Sequence, residues 1–217
     1  MAKNDTPQSA KAHIRYKTSD GKPVPGVSTI VGQVNKPQLV PWANRLGLQG
    51  IDSSKYTSDK ASIGTLAHHL IMCGLKGEPV SLEDYTTEQV SQGETAYLHY
   101  LEWCKGKVIK PILVETPLVS ELHKYGGTLD FYGDVDGIRY LMDYKTGGIY
   151  GESTIQACGY VGLLEDCGYP PPEKIIILGI PRDDTETFRE VTVTNFEHGK
   201  TAFMSLLVLY EALKYIK

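Results

Sequence analysis

The chain has no CxxC pair, no apolar run long enough to span a bilayer, no internal repeat and no overall basic charge, and each absence removes a class of protein. Its four cysteines, Cys73, Cys104, Cys158 and Cys167, are scattered, so neither a zinc site nor a disulfide framework is signalled, and reduced, mostly buried thiols are expected. Stretches such as Phe203 to Leu209 are far too short to cross a membrane, and the polar start Met1-Ala2-Lys3-Asn4-Asp5-Thr6 lacks the apolar core of a secretory signal. The expectation is a cytoplasmic protein that stays out of membranes. At 217 residues and 24.0 kDa, a single domain over 1–217 is large enough to bury most of its apolar surface.

The charge is uneven. Residues 1–45 hold seven Lys and Arg against two Asp, a balance of +5 in a chain whose net charge is −4, so the remainder carries −9. A basic N-terminal arm on an acidic body is the pattern of a protein that grips a polyanion, with Lys11, Arg15, Lys17, Lys22, Lys36 and Arg45 as the candidate DNA contacts. A solvated terminus fits the same charges. Tyr16 and Trp42 stand among them, able to stack on bases or to pack on the body.

A short strand-like piece is expected at His13 to Thr18, followed by a loop-rich front end in which Ser28 caps a helical turn at Thr29-Ile30-Val31. Apolar residues at helical spacing predict a helix over Ser58–Lys76 stopped by Gly77, and Thr86 with Gln89 forms a capping box for another to Lys105. Strands follow at Ile109–Leu118, Gly127–Gly133 and Ile138–Lys145, then a helix at Ser153–Cys167 and strands at Lys174–Pro181 and Phe188–Thr194. Thr194-x-x-Glu197 caps a last helix whose Phe196, Phe203, Leu206, Leu207, Tyr210 and Leu213 make one apolar stripe. This order predicts an α/β protein with a mixed central sheet flanked by helices.

The chemistry gathers in the middle. Asp143 and Lys145 lie at i and i+2 of a strand and must share a face. The Asp136-Gly137 pair signals a tight hairpin that can bring Asp130 beside Asp143. Buried carboxylates repel unless a cation sits between them, and hard oxygen ligands suit Mg²⁺ or Mn²⁺. Such an ion polarises a phosphoryl oxygen and acidifies a water, which Lys145 can orient, so the pattern points to metal-dependent phosphodiester hydrolysis.

Three other positions carry two readings each. His68 stands four residues after Gly64, which permits close approach of a backbone or a phosphate, and it is preferred over His69 as a metal ligand; a packed helical histidine is the alternative. Glu115 is either a third carboxylate at the working end of the sheet or a solvent-facing strand residue. Gln156 and Tyr160 are i and i+4 on the helix after Lys145 and either reach a phosphate or the lysine's water, or serve as a capping residue and a core ring.

In order, Gly64-x-x-x-His68, Glu115, Gly127-Thr128-Leu129-Asp130, Asp143-Tyr144-Lys145-Thr146 and Gln156-x-x-x-Tyr160 resemble the RecB-type branch of the PD-(D/E)XK nuclease superfamily. Val27-Ser28-Thr29-Ile30, Lys36-Pro37 and Trp42-Ala43 look like the front end of phage and prophage exonucleases of that branch. The likeness covers roughly Val27 to Tyr160. It implies a restriction-endonuclease-like αβββαβ core, with metal held by His68, Glu115, Asp130, Asp143 and the Tyr144 carbonyl. Lys145 would be the catalytic lysine and Gln156 and Tyr160 the nuclease-specific helix motif. The second acidic position is Asp143 where many relatives have Glu. It further implies a Mg²⁺- or Mn²⁺-dependent DNA exonuclease of recombination or repair type, with a single-strand annealing protein and copies of itself as partners. A structure-specific or restriction-type endonuclease and a catalytically silent nucleic-acid-binding module are the alternatives. The iron–sulfur cluster of some such nucleases needs three downstream cysteines, and only Cys167 follows Tyr160.

Overall fold

Asp136 and Gly137, with φ of 52° and 86°, form the two-residue turn that an Asp-Gly pair favours, because both positions need the left-handed region. The turn joins β2 (Tyr125–Val135) to β3 (Ile138–Lys145) with Val135 opposite Ile138. β1 (Ile109–Ser120) lies antiparallel on the other edge of β2, β4 (Lys174–Gly179) runs parallel to β3, and β5 (Arg189–Thr192) closes the far edge antiparallel to β4. The computed structural model describes residues 14–216, and its sheet has the order β1-β2-β3-β4-β5. It is a mixed sheet flanked by helices, as the element order predicts.

Two helices cover one face. α3 (Ser53–Lys76) starts where the Asp52 carboxylate accepts the Ser54 and Lys55 amides and ends at Gly77 in the left-handed conformation. α4 (Thr87–Cys104) carries the expected Thr86–Gln89 capping box. Ala67, Ile71, Ala96 and Tyr100 from these helices pack on Phe131, Met142, Tyr144 and Leu178. On the other face α1 (Val27–Val31), α5 (Gly151–Asp166) and α6 (Phe196–Leu213) bury Val27, Val161, Leu164 and Phe203 against Leu129, Tyr132 and Leu141.

α5 and α6 meet through a bare patch, since a Cβ on Gly159 would lie 2.6 Å from the Phe203 ring. Gly159→Ala is therefore expected to lower stability by about 1–3 kcal/mol, the usual cost of overpacking, read as a lower denaturant midpoint. An unchanged midpoint would show that the two helices slide apart freely.

Several local expectations change. Gly26 rather than Ser28 precedes α1, and neither α5 nor α6 has a side-chain cap; the cap positions are Tyr150 and Asn195, so Thr194 does not cap. Leu213 is exposed, at the outer end of the α6 stripe. The front end holds an extra helix, α2 (Leu39–Leu48), while the described part of the early strand-like piece makes only an isolated bridge between Lys17 and Pro23; His13 lies outside the described residues. Cys73 and Cys158 are buried, Cys104 is half-buried and Cys167 is exposed. Among the described residues no helix is long and apolar enough to cross a membrane.

The β1–β2 pair also breaks its own alternation. Leu118, Tyr125 and Leu129 pack with α5, whereas Val114, Phe131 and Val135, which strict alternation would put on the same side, pack under α3 and α4. The faces exchange at Glu115 and Asp130.

Candidate metal centre

Glu115 marks the exchange in its backbone. Pairing passes from Val114–Phe131 to Thr116–Leu129, leaving Glu115 across from Asp130, and its φ of 45° lies where a non-glycine residue costs about 1–3 kcal/mol. A strand that kept its alternation would turn this carboxylate toward one helical layer only; the kink places it between the two.

Asp130 stands where β2 and β3 part. Their ladder runs from Val135–Ile138 to Phe131–Met142 and stops, with Asp130 next in line opposite Asp143. Past that point the Tyr144 amide donates to Asp130 Oδ2 at 2.6 Å. The predicted hairpin thus brings the two aspartates together, both buried.

From the α3 side, His68 Nδ1 lies 3.2 Å from Asp130 Oδ1 and 3.3 Å from Glu115 Oε1. Gly64 allows this approach, because a Cβ there would sit 2.8 Å from Thr146 Oγ1; the group the glycine admits is a hydroxyl of the residue after Lys145. His69 is buried elsewhere, its Nε2 3.7 Å from Cys73 Sγ. One ligand atom from each of His68, Glu115 and Asp130 falls within 4.8 Å of the others, a cluster able to hold a divalent ion.

Asp143 stands outside that trio. As the i, i+2 argument requires, it meets Lys145 on a shared face, Nζ to Oδ2 at 2.6 Å. Asp143 Oδ2 thus faces the Lys145 ammonium, as Glu115 Oε1 faces the His68 imidazole.

The charges reinforce one another. Burial disfavours the imidazolium, yet Asp130 first and then Glu115 outweigh it and push His68 up to about 10. Burial raises Asp143 to about 6 in spite of Lys145, and raises Glu115 against the pull of His68. Asp130 moves the other way, since His68, Lys145 and the Tyr144 amide overcome its burial. For Lys145 too, burial is outweighed, here by Asp143 and Asp130, which hold it above its ordinary range. Without an ion the cleft relies on a proton on His68 to hold Glu115 and Asp130 side by side.

Gln156 Nε2 donates to the Tyr160 hydroxyl at 2.9 Å, and α5 begins before Ser153, so the capping-box alternative is not realised. Burial, then Asp143 and Asp130, push the Tyr160 phenol well above its ordinary range, which puts it within their electrostatic reach.

Of the basic candidates, Arg15, Lys17, Lys22 and Arg45 are exposed. Lys22 is 2.8 Å from Asp20 and Lys36 is 3.0 Å from Glu152; Lys11 lies outside the described residues. Tyr16 packs on the body, its hydroxyl 2.9 Å from Thr128 Oγ1 and its side chain so close over Gly126 that a Cβ there would meet it at 2.6 Å. Of its two alternatives Tyr16 takes the packed one, while Thr128 and Thr146, named in the sequence only as members of their motifs, turn out to hold Tyr16 and to face Gly64.

No family model matches the chain, and no curated protein matches it. The crystal structure of SSO0001 is similar at 15% identity over 68% of this chain and 74% of that one, with a TM-score of 0.29. LHK-Exo in complex with dAMP is similar at 15% identity over 73% of this chain and 90% of that one, with a TM-score of 0.31. At these values the likeness extends to no residue of the site.

Proposed function

We propose that the protein is a divalent-metal-dependent nuclease that hydrolyses DNA phosphodiesters, most simply as an exonuclease, on a restriction-endonuclease-like αβββαβ core of the RecB-type branch. The observation that carries this reading is the convergence of His68, Glu115 and Asp130 beside the Asp143–Lys145 pair. An N/O donor set of this kind suits Mg²⁺ or Mn²⁺, and the carboxylates of Glu115, Asp130 and Asp143, held together here by His68 and Lys145, are the hard oxygen donors such an ion takes. His68, Glu115 and Asp130 would hold the ion, with Asp143 and the Tyr144 carbonyl completing the set. A bound ion supplies polarisation of a phosphoryl oxygen and a more acidic water.

The chain's own groups do the rest. Lys145 places an ammonium beside the carboxylates, where it neutralises charge building on the phosphate oxygens and orients the attacking water. Tyr160, fixed by Gln156, offers a phenol that stays protonated and can donate to a phosphate. Linear duplex DNA labelled at either the 5′ or the 3′ end, with and without Mg²⁺, tests the reading directly. Release of labelled mononucleotides only with metal is expected, and no turnover with either ion would overturn it. Cleavage of closed circular DNA would instead assign an endonuclease.

The N-terminal cations give a separate expectation. Replacing Lys11, Arg15, Lys17 and Lys22 by alanine should flatten the dependence of log K on log salt by roughly 2–3 units, at about 0.9 for each duplex phosphate that is no longer neutralised. Cleavage at saturating DNA should hardly change. An unaltered slope would show that these four cations take no part in gripping DNA.

A further inference from the structure

Among the described helices only α2 buries no residue. It is nevertheless amphipathic: Leu39, Trp42, Ala43 and Leu46 recur at helical spacing as one stripe, exposed at Leu39 and half-buried at the other three. Part of its cover is Tyr56 of α3, whose ring meets Trp42 edge-on at 6.0 Å. An edge-on pair hides at most one ring face, and Lys60 Nζ lies 5.8 Å from the Tyr56 centroid, so the aromatic surface left to a further partner is chiefly that of Trp42.

The position of the stripe says what that partner is. Just before α2, Lys36 is tied to Glu152 in the first turn of α5; after it, α3 returns to the cleft at Gly64 against Thr146. Both ends of the segment that contains α2 are thus fastened to the short stretch that follows Lys145, which tethers α2 on the side of the cleft where Lys145 lies. Arg45 and Lys55 are exposed there and enter no ion pair among the described residues. The neighbouring Asp52 is occupied in capping α3. Open aromatic rings beside unpaired cations are the combination that binds single-stranded nucleic acid, since rings stack on bases and cations follow the phosphates.

We propose that the α2 stripe is the path of single-stranded nucleic acid into or out of the cleft, with a base stacking on Trp42 and phosphates meeting Arg45 and Lys55. A duplex hides its base faces by stacking, so the path selects unpaired strand. The assignment rests on the nuclease reading for its purpose, though its binding chemistry can be measured without turnover.

The chain has two tryptophans, so Trp103→Phe leaves Trp42 as the sole reporter and Trp42→Phe leaves Trp103. In chelator, oligothymidylate is expected to quench the Trp103→Phe protein and not the Trp42→Phe protein, while a blunt duplex hairpin quenches neither. Trp42→Ala should weaken oligothymidylate binding, followed by anisotropy of a labelled strand, about tenfold, within the range for loss of one base–aromatic stack; circular dichroism checks that it folds. Quenching confined to Trp103, no strand binding, or unchanged affinity in a folded Trp42→Ala protein would overturn the proposal. A dimer of the parent chain that Trp42→Ala dissociates, without quenching by oligothymidylate, would give the stripe to a second copy instead. Metal-dependent cleavage by the unsubstituted chain tests the nuclease reading separately: turnover without Trp42 quenching sinks the strand path alone, and quenching without turnover sinks the nuclease alone.

Discussion

Asp143→Asn and Lys145→Ala are each expected to lower metal-dependent cleavage of linear DNA by about 10²-fold or more, because one removes a carboxylate of the proposed metal centre and the other the ammonium that answers charge on the phosphate. Both side chains lie on one face of β3 and touch at 2.6 Å, so losing either disturbs the same small volume. Undiminished cleavage by either purified, folded variant would remove these residues from the active site. Asp143→Asn also makes a claim about stability. Burial lifts this carboxylate from an ordinary 3.8 to about 6, so the fold favours its protonated form: its stabilising contribution is present below about pH 4 and is lost as pH rises through about 6. In metal-free buffer the asparagine variant should therefore gain on the parent in melting temperature across that interval. A gap that stays constant with pH would mean that Lys145 fully compensates the buried charge.

His68→Ala should weaken Mn²⁺ binding at least about tenfold, a scale reached on removing even an outer partner of a metal ligand, while His69→Ala leaves it nearly unchanged. The residues are adjacent in sequence, but only His68 Nδ1 reaches Asp130 and Glu115, whereas His69 packs beside Cys73. The cost of the second substitution belongs in thermal stability, since that ring is buried. Calorimetric titration of Mn²⁺ into both proteins decides the matter, and equal affinities would leave His68 a structural residue bridging two acids.

What the sequence determined by itself is what depends on near neighbours. The Asp136-Gly137 turn, the Thr86–Gln89 capping box, the shared face of Asp143 and Lys145 and the contact between Gln156 and Tyr160 all follow from fixed local periodicities. Local rules also misled where several signals competed. α2 was hidden because the front end read as loop, although Leu39, Trp42, Ala43 and Leu46 carried the helical spacing, and Ser28 and Thr194 resembled caps that the helices do not use.

Only the tertiary structure decided how the trio assembles. Strict alternation cannot produce the exchange of faces at Glu115 and Asp130, which depends on a strained backbone at Glu115 and on two strands parting beyond Phe131. The packing of Gly64 against Thr146 then chooses His68 over His69, because close approach is a property of two surfaces and neither surface alone records it.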